Sequence, residues 1–290
     1  QGVILLVGSG PGSPLLLPVF THRLLTTSSS STIVLSDKLV PSEIQELIPE
    51  GTEVVIAKKF PGNAEGAQSE LMEIAVREAK EGKTVIRLKQ GDPYIYGRGG
   101  EEVLHFRKHG IETRVVPGLS SALAGPLLAG IPLTQRGVSE GVVICTGVGR
   151  GGKEVKIPGY DREKTVVMLM GVARIGEVVK AITEGMGGRL GGNARLYPPH
   201  LPIAIVERAG MKDARTVMST LANVEEAMKE VGQKPPGLIV VGWSVMALDG
   251  EGYLDVLDRS EEDDVPLVTR WLNGAKWRVE QNGLAAWEAL

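Results

Sequence analysis

Short apolar runs recur along this chain, each broken at its end by a turn or loop and followed by a helix-like stretch. That repeat restricts the fold more than any other feature. Residues 3–7 (VILLV) run into GSGPGS, residues 32–35 (TIVL) end at Ser36 and Asp37, and residues 54–57 end at Lys58 and Lys59. Residues 84–88 (TVIRL) open a loop carrying GDP and GRGG, and residues 113–116 run into Pro117 and Gly118. Continuous apolar runs this short suit strands buried on both faces of a parallel sheet. Helix-like stretches at 14–25, 68–80 and 101–108 separate them; the second has apolar residues at 71, 72, 74, 75, 76 and 79, one buried face of a helix. Strands alternating with helices predict an α/β fold.

The same alternation resumes after residue 117, with strands predicted at 142–146, 165–170, 203–206, 216–220 and 238–241 and helices at 173–184 and 224–231. Residues 119–130 (LSSALAGPLLAG) are small and apolar, suited to a tightly packed helix or to close approach by a ligand. Glycine-rich residues 185–192 read as a flexible surface loop. Three segments follow: a domain at 1–117, a second at 118–248, and an extension at 249–290 that packs a helix near 267–279 on the outside or on a partner.

Composition narrows the chemistry. A net charge of −3 over 290 residues gives no polyanion-binding surface of the kind nucleic acids need, so any acidic ligand requires a local cluster of Lys and Arg. Cys145 is the only cysteine, which excludes an intrachain disulfide and a multi-cysteine zinc site and makes a reducing cytoplasm the expectation. His105 and His109 have helical spacing, but HFRKH lacks the Glu of a zinc protease motif, so no metal is expected. No apolar run reaches the roughly 18 to 20 residues that span a bilayer. Gln1 in place of Met, running straight into a strand, suggests a processed or excised fragment and leaves a missing upstream domain as a question.

Loops at the carboxyl ends of strands in an open α/β sheet are where ligands bind. GSGPGS resembles the dinucleotide fingerprint but fails it, because the third glycine would fall on Ser13 and Pro11 removes a backbone donor. A tight turn and a site for another nucleoside-like ligand both remain open for it. Asp37, just past a strand end, could bind a ribose hydroxyl, transfer a proton or cap a turn. The densest stretch is residues 85–102 (VIRLKQGDPYIYGRGGEE), whose paired acids Glu101 and Glu102 fall in the first turn of a helix, where the dipole favours them.

Four blocks in order, VGSGPGSPLLL, VLSDKLV, RLKQGDPYIYGRGGEE and VVPGLSSALAGPLLAGIPLTQRG, resemble the uroporphyrinogen-III C-methyltransferases of the tetrapyrrole methylase superfamily. The resemblance runs from about residue 3 to 242. It implies two αβα domains with a cleft between them, a homodimer, and S-adenosylmethionine as cofactor, leaving as S-adenosylhomocysteine. The implied reaction is methylation of uroporphyrinogen III at carbons 2 and 7 to give precorrin-2, for sirohaem or cobalamin. Carried over residue by residue, the resemblance places Pro11, Gln90, Gly91, Asp92, Ile95, Ser120, Ser121, Met170 and Ala209 at the cofactor. Asp37 and Lys58 match proton acceptor and donor. For the carboxylates of the implied substrate, Arg98, Arg136 and Lys59 are candidate contacts by their place in predicted loops, an ordinary surface charge being the other reading for Arg136 and Lys59, and Arg98 also places substrate for catalysis. Arg150 is a further cation in a predicted loop. Gln90 stands where the family usually has Gly, Ser36 where it often has Tyr, and Gln135 where His is common. A nucleotide-dependent oxidoreductase is the competing enzyme class, weakened by the failed fingerprint. A catalytically idle tetrapyrrole binder is the other reading; the presence of Asp37, Lys58, Asp92 and Arg98 gives it no support.

Overall fold

The structure, a computed structural model, describes residues 2–57, 64–149, 152–191, 193–281 and 283–284. The chain divides into two compact units, Gln1–Ser121 and Ala122–Leu290. The division lies at 121 rather than at the expected 117, within the first turn of helix α5 (Ser121–Leu128). Residues 249–290, expected as a separate extension, belong to the second unit.

In the first unit, β1 (Ile4–Gly8), β2 (Thr32–Ser36), β3 (Glu53–Ile56), β4 (Thr84–Lys89) and β5 (Thr113–Val116) form a parallel sheet in the order β3-β2-β4-β1-β5. Helices α1 (Val19–Thr26), α2 (Ser42–Gln45), α3 (Ala64–Lys80) and α4 (Gly99–Lys108) lie in the connections. Side chains alternate across the strands, so each strand feeds two cores. Ile33, Leu35 and Val85 pack with Leu71 and Ala75 of α3 and Phe106 of α4. Val34, Ile86 and Leu88 pack on the other face with Leu25 of α1 and Ile44 of α2. The helix expected over 14–25 is broken: a 3-10 turn, Pro14–Leu16, precedes α1, and Leu17 between them is extended. Pro18 accounts for this, since proline disfavours helical backbone in the residue before it.

The second unit contains β6 (Gly141–Thr146), β7 (Lys164–Leu169), α6 (Ile175–Thr183), β8 (Pro202–Glu207), β9 (Arg215–Thr220), α7 (Val224–Val231), β10 (Gly237–Val241), α8 (Asp264–Trp271) and β11 (Trp277–Gln281). Its sheet runs β11-β9-β8-β10-β7-β6, with β6 and β7 parallel and every other neighbour antiparallel.

Two expectations for this unit need correcting. The helix placed at 267–279 is α8 followed by a strand: Asn273 and Gly274 take left-handed backbone, which ends the helix, and β11 then pairs along β9. Leu267, Val268 and Trp271 are buried in the unit's core, and the Asp264 carboxylate accepts from the Arg162 guanidinium, which lies over the Trp243 ring. The loop at 185–192 is not simply a flexible surface excursion. Arg189 is buried and donates to the carbonyls of Gly147 and Val155, while Leu190 bridges Ile157 and packs in the core.

Candidate active site

The carboxyl edge of the first sheet is built around backbone contact between three loops. After β1, Gly10 exchanges hydrogen bonds with Gly91 after β4, N to O at 3.2 and 2.9 Å. A Cβ built on Gly8 would lie 2.6 Å from both the Gly118 Cα and the Gly91 carbonyl oxygen, and one on Gly118 would overlap that same oxygen. These glycines let the ends of β1, β4 and β5 close on one another; they do not form the open cradle of a dinucleotide fingerprint. Ser13, which breaks that fingerprint, acts locally instead, its hydroxyl accepting from the Leu15 amide at the start of the 3-10 turn. Pro11 is buried beside these turns. A Cβ on Gly91 would meet the Ser121 Oγ at 3.7 Å and the Ser121 amide at 3.8 Å, so Ser120 and Ser121 stand against this loop.

The loop after β4 is organised by Asp92. Its Oδ1 accepts from the amides of Tyr94 at 2.8 Å and Ile95 at 3.1 Å, and its Oδ2 from the Gly118 amide at 3.4 Å. Asp92 therefore shapes the surface that residues 90–95 present, leaving the Tyr94 and Ile95 side chains exposed. Arg98 sits at the N-terminus of α4 with left-handed backbone, and its guanidinium donates to Glu101 through Nε at 3.1 Å and Nη2 at 2.7 Å. The pair is solvent-accessible, so its net contribution is small.

Beneath Asp37 lies a charge cluster that the linear pattern only hinted at. On β4, Arg87 and Lys89 occupy the same face as Val85, the face covered by α4. Arg87 Nη2 lies 2.6 Å from Asp37 Oδ1 and 3.1 Å from Glu102 Oε1; Lys89 Nζ lies 2.8 Å from Glu102 Oε1 and 3.8 Å from Asp37 Oδ2. Nη1 of Arg87 donates to the carbonyls of Leu35 and Leu88, fixing the guanidinium plane. Arg87, Lys89 and Glu102 are 2%, 3% and 0% exposed, whereas the Asp37 side chain keeps 22%. Burial and the neighbouring Arg87 charge hold the Lys89 ammonium below its usual range. For Arg87, burial acts to lower the value, but the Asp37 and Glu102 carboxylates outweigh it and hold the guanidinium protonated.

Glu102 corrects the reading of the paired acids. Glu101 faces solvent and pairs with Arg98, while Glu102 is turned inward and pairs with β4. A signal was present in the sequence, because Glu102 and Phe106 stand four residues apart on one helix face, and Phe106 is a core residue.

In the second unit, Met170 follows β7 and Ala209 follows β8. Both strands run antiparallel to β10 between them, so both residues lie at the same sheet edge. Met170 has a φ of 57° and is half exposed, and Ala209 lies beside Leu238 and Gly125. Arg136 is at the opposite edge of that sheet, ahead of β6, in a turn where Gln135 bridges Ser139 and Gly137 accepts from the Leu257 amide. The second unit thus does not bring Arg136 to Met170 and Ala209. Lys58, Lys59 and Arg150 lie outside the described residues. Among the described residues, no group of three His, Cys, Asp or Glu side chains could hold a metal, and no helix is long and apolar enough to cross a membrane.

Comparison with known proteins bears on the family of this chain. The profile of the Tetrapyrrole (Corrin/Porphyrin) Methylases matches residues 3–225. A probable uroporphyrinogen-III C-methyltransferase of Schizosaccharomyces pombe is 45% identical over 248 residues, which cover 86% of this chain and 47% of that protein. A uroporphyrinogen-III C-methyltransferase of Methanocaldococcus jannaschii is 35% identical over 252 residues, covering 86% of this chain and 99% of that one. The chain thus spans about half of the yeast relative and nearly all of the archaeal one. Among solved structures, uroporphyrin-III C-methyl transferase of Thermus thermophilus complexed with S-adenyl homocysteine superposes with a TM-score of 0.69 at 34% identity, over 89% of this chain and 100% of that chain.

Proposed function

Because the chain belongs to the tetrapyrrole (corrin/porphyrin) methylase family, we propose that it methylates uroporphyrinogen III from S-adenosylmethionine, at carbons 2 and 7 in turn, giving precorrin-2. The observation that carries this reading is the carboxyl edge of the first sheet. There the contacting glycine loops and Ser120 and Ser121 adjoin one another, and Asp37 stands at the end of β2, two strands from β1. Similarity to the archaeal methyltransferase over nearly its whole length, and to the structure complexed with S-adenyl homocysteine, supports it.

The residues fit the cofactor. The loop of residues 90–95 lies against the hydroxyl and amide of Ser121, neutral donors suited to a zwitterionic amino acid and a nucleoside. Gln90, Gly91, Asp92, Ile95, Pro11, Ser120 and Ser121 would hold it, and Met170 and Ala209 remain proposed cofactor contacts. When bound, S-adenosylmethionine supplies an electrophilic methyl group on sulfur with a neutral thioether as leaving group.

What the protein itself must supply is alignment, exclusion of water and proton management. A pyrrole carbon of the reduced macrocycle is enamine-like and supplies the bonding pair; the methylated ring must then lose a proton. Asp37 is the proposed acceptor, with Arg87 and Lys89 favouring its ionised form. Lys58 is the proposed donor. Arg98 is proposed to exchange Glu101 for a substrate carboxylate, a bidentate contact that suits a guanidinium. Lys59 and Arg136 remain proposed substrate contacts, and the proposed assembly is a homodimer.

Incubation with uroporphyrinogen III and methyl-labelled S-adenosylmethionine tests the reading. Incorporation of two labels into one macrocycle, with carbon NMR locating them at C2 and C7, is the expected result. Turnover that depends on a nicotinamide cofactor without label transfer would move the chain to the oxidoreductases.

A further inference from the structure

We propose that Glu102 is a positioning residue for Asp37: buried in the first turn of α4, it divides the two cations of β4 so that the Asp37 carboxylate holds one fixed geometry at the sheet edge. This rests on the reading of Asp37 as the proton acceptor. Glu102 takes the near side of Lys89 at 2.8 Å, leaving that ammonium 3.8 Å from Asp37, beyond a direct hydrogen bond. It also takes part of the Arg87 Nη2 donation, at 3.1 Å against 2.6 Å to Asp37. Without Glu102, both buried cations would turn on a single carboxylate, which would grip it and make it a weaker base. Without Lys89, two carboxylates would compete for one guanidinium, and Asp37 would become more basic and less fixed.

A layer serving stability alone needs no such division. A hydrophobic layer would do as well, since buried ion pairs seldom outperform one. Among the described residues, the charged groups paired with Asp37 include Arg87 and Lys89 from β4, with Glu102 from α4 behind them. Lys38 follows it on the surface, and Lys58 and Lys59 follow the adjacent β3 outside the described residues.

The test compares the wild type, Glu102→Gln, Lys89→Met, the double variant, Glu102→Asp and Asp37→Asn in steady-state methylation across pH. S-adenosylmethionine affinity by calorimetry and thermal melts report on the fold. The expected result is a kcat at least about tenfold lower in Glu102→Gln, with KM for both substrates within about twofold. Its acidic limb moves down by about one pH unit, whereas that of Lys89→Met moves up, and the double variant returns toward the wild type. The substrate's own carboxylates titrate alike in every variant and cancel from the comparison. Limbs that stay in place, or that move together, overturn the proposal while an inactive Asp37→Asn leaves the proton-acceptor reading standing. Full turnover by Asp37→Asn overturns both. Should either single variant fail to fold, Glu102→Asp keeps the charge one methylene farther away. A severalfold lower kcat at unchanged KM then supports the proposal, and a wild-type kcat overturns it.

Discussion

Gly8 and Gly118 meet backbone to backbone, so closely that a Cβ on Gly8 would lie 2.6 Å from the Gly118 Cα. The same carbon would be 2.6 Å from the Gly91 carbonyl oxygen, so three strand ends share one contact. Neither Gly8 nor Gly118 needs left-handed backbone; what they need is the missing side chain.

Gly118→Ala should therefore push the β5 loop off the β4 loop, at a cost of about 1–3 kcal/mol of stability. Affinity for S-adenosylmethionine should fall with it. Gly100→Ala is the control, since nothing lies within 4 Å of its Cβ and it sits inside α4. Its thermal melt should be unchanged or raised. Equal melts and equal calorimetric affinities for the two variants would contradict the contact.

Asp92 holds its loop through acceptor bonds alone. Asp92→Ala leaves the Tyr94 and Ile95 amides without these partners and should weaken S-adenosylmethionine binding about tenfold, the equivalent of one good hydrogen bond. Asp92→Asn, which keeps one acceptor, should lose less. Unchanged affinity in both would remove this loop from the cofactor site.

Arg98 has a φ of 58°, a conformation costly for any residue with a Cβ. Arg98→Ala should abolish turnover while leaving cofactor affinity intact. Arg98→Gly should melt at least as high as Arg98→Ala and be equally inactive. That pair of variants separates the guanidinium from its backbone, and activity in either would take Arg98 out of the substrate site.

The C-terminal segment is a structural part of the second unit. Trp271 is 2% exposed within the core, so Trp271→Ala should cost about 3–5 kcal/mol in urea unfolding. A change under about 1 kcal/mol would return α8 to the status of an outer appendage.

Burial lifts the Cys145 thiol from 9.0 to about 11. Alkylation of the folded protein should accordingly be slow at pH 8 and rapid after denaturation. The sign for stability follows from the same shift. The raised thiol favours the folded form fully below pH 9, and that contribution is lost as pH rises from 9 toward 11, where the unfolded chain has released its proton and the folded one has not. Cys145→Ala should show a flatter decline across that window in denaturant titrations.

Local pattern was enough for much of this protein. Five short runs between residues 3 and 116 announced five parallel strands; β1 and β2 are buried at every position, and a strand buried on both faces is mostly apolar, a requirement visible residue by residue. The loops that follow those runs contain most of the candidate site, and the order of four blocks identified the family. Tertiary structure decided whatever depended on residues distant in the chain. Whether Glu102 served the helix dipole or a buried cation could not be told from GRGGEE. The answer lies in Arg87 and Lys89, fifteen and thirteen residues earlier, and in Asp37, fifty residues before Arg87. Likewise, GSGPGS read as a tight turn or a ligand site until Gly91 and Gly118 showed Gly8 and Gly10 to be one side of a backbone contact. Residues 264–281 looked peripheral because only β9, some sixty residues earlier, gives β11 a partner. Periodicity reports what a segment buries; only the folded chain reports what it is buried against.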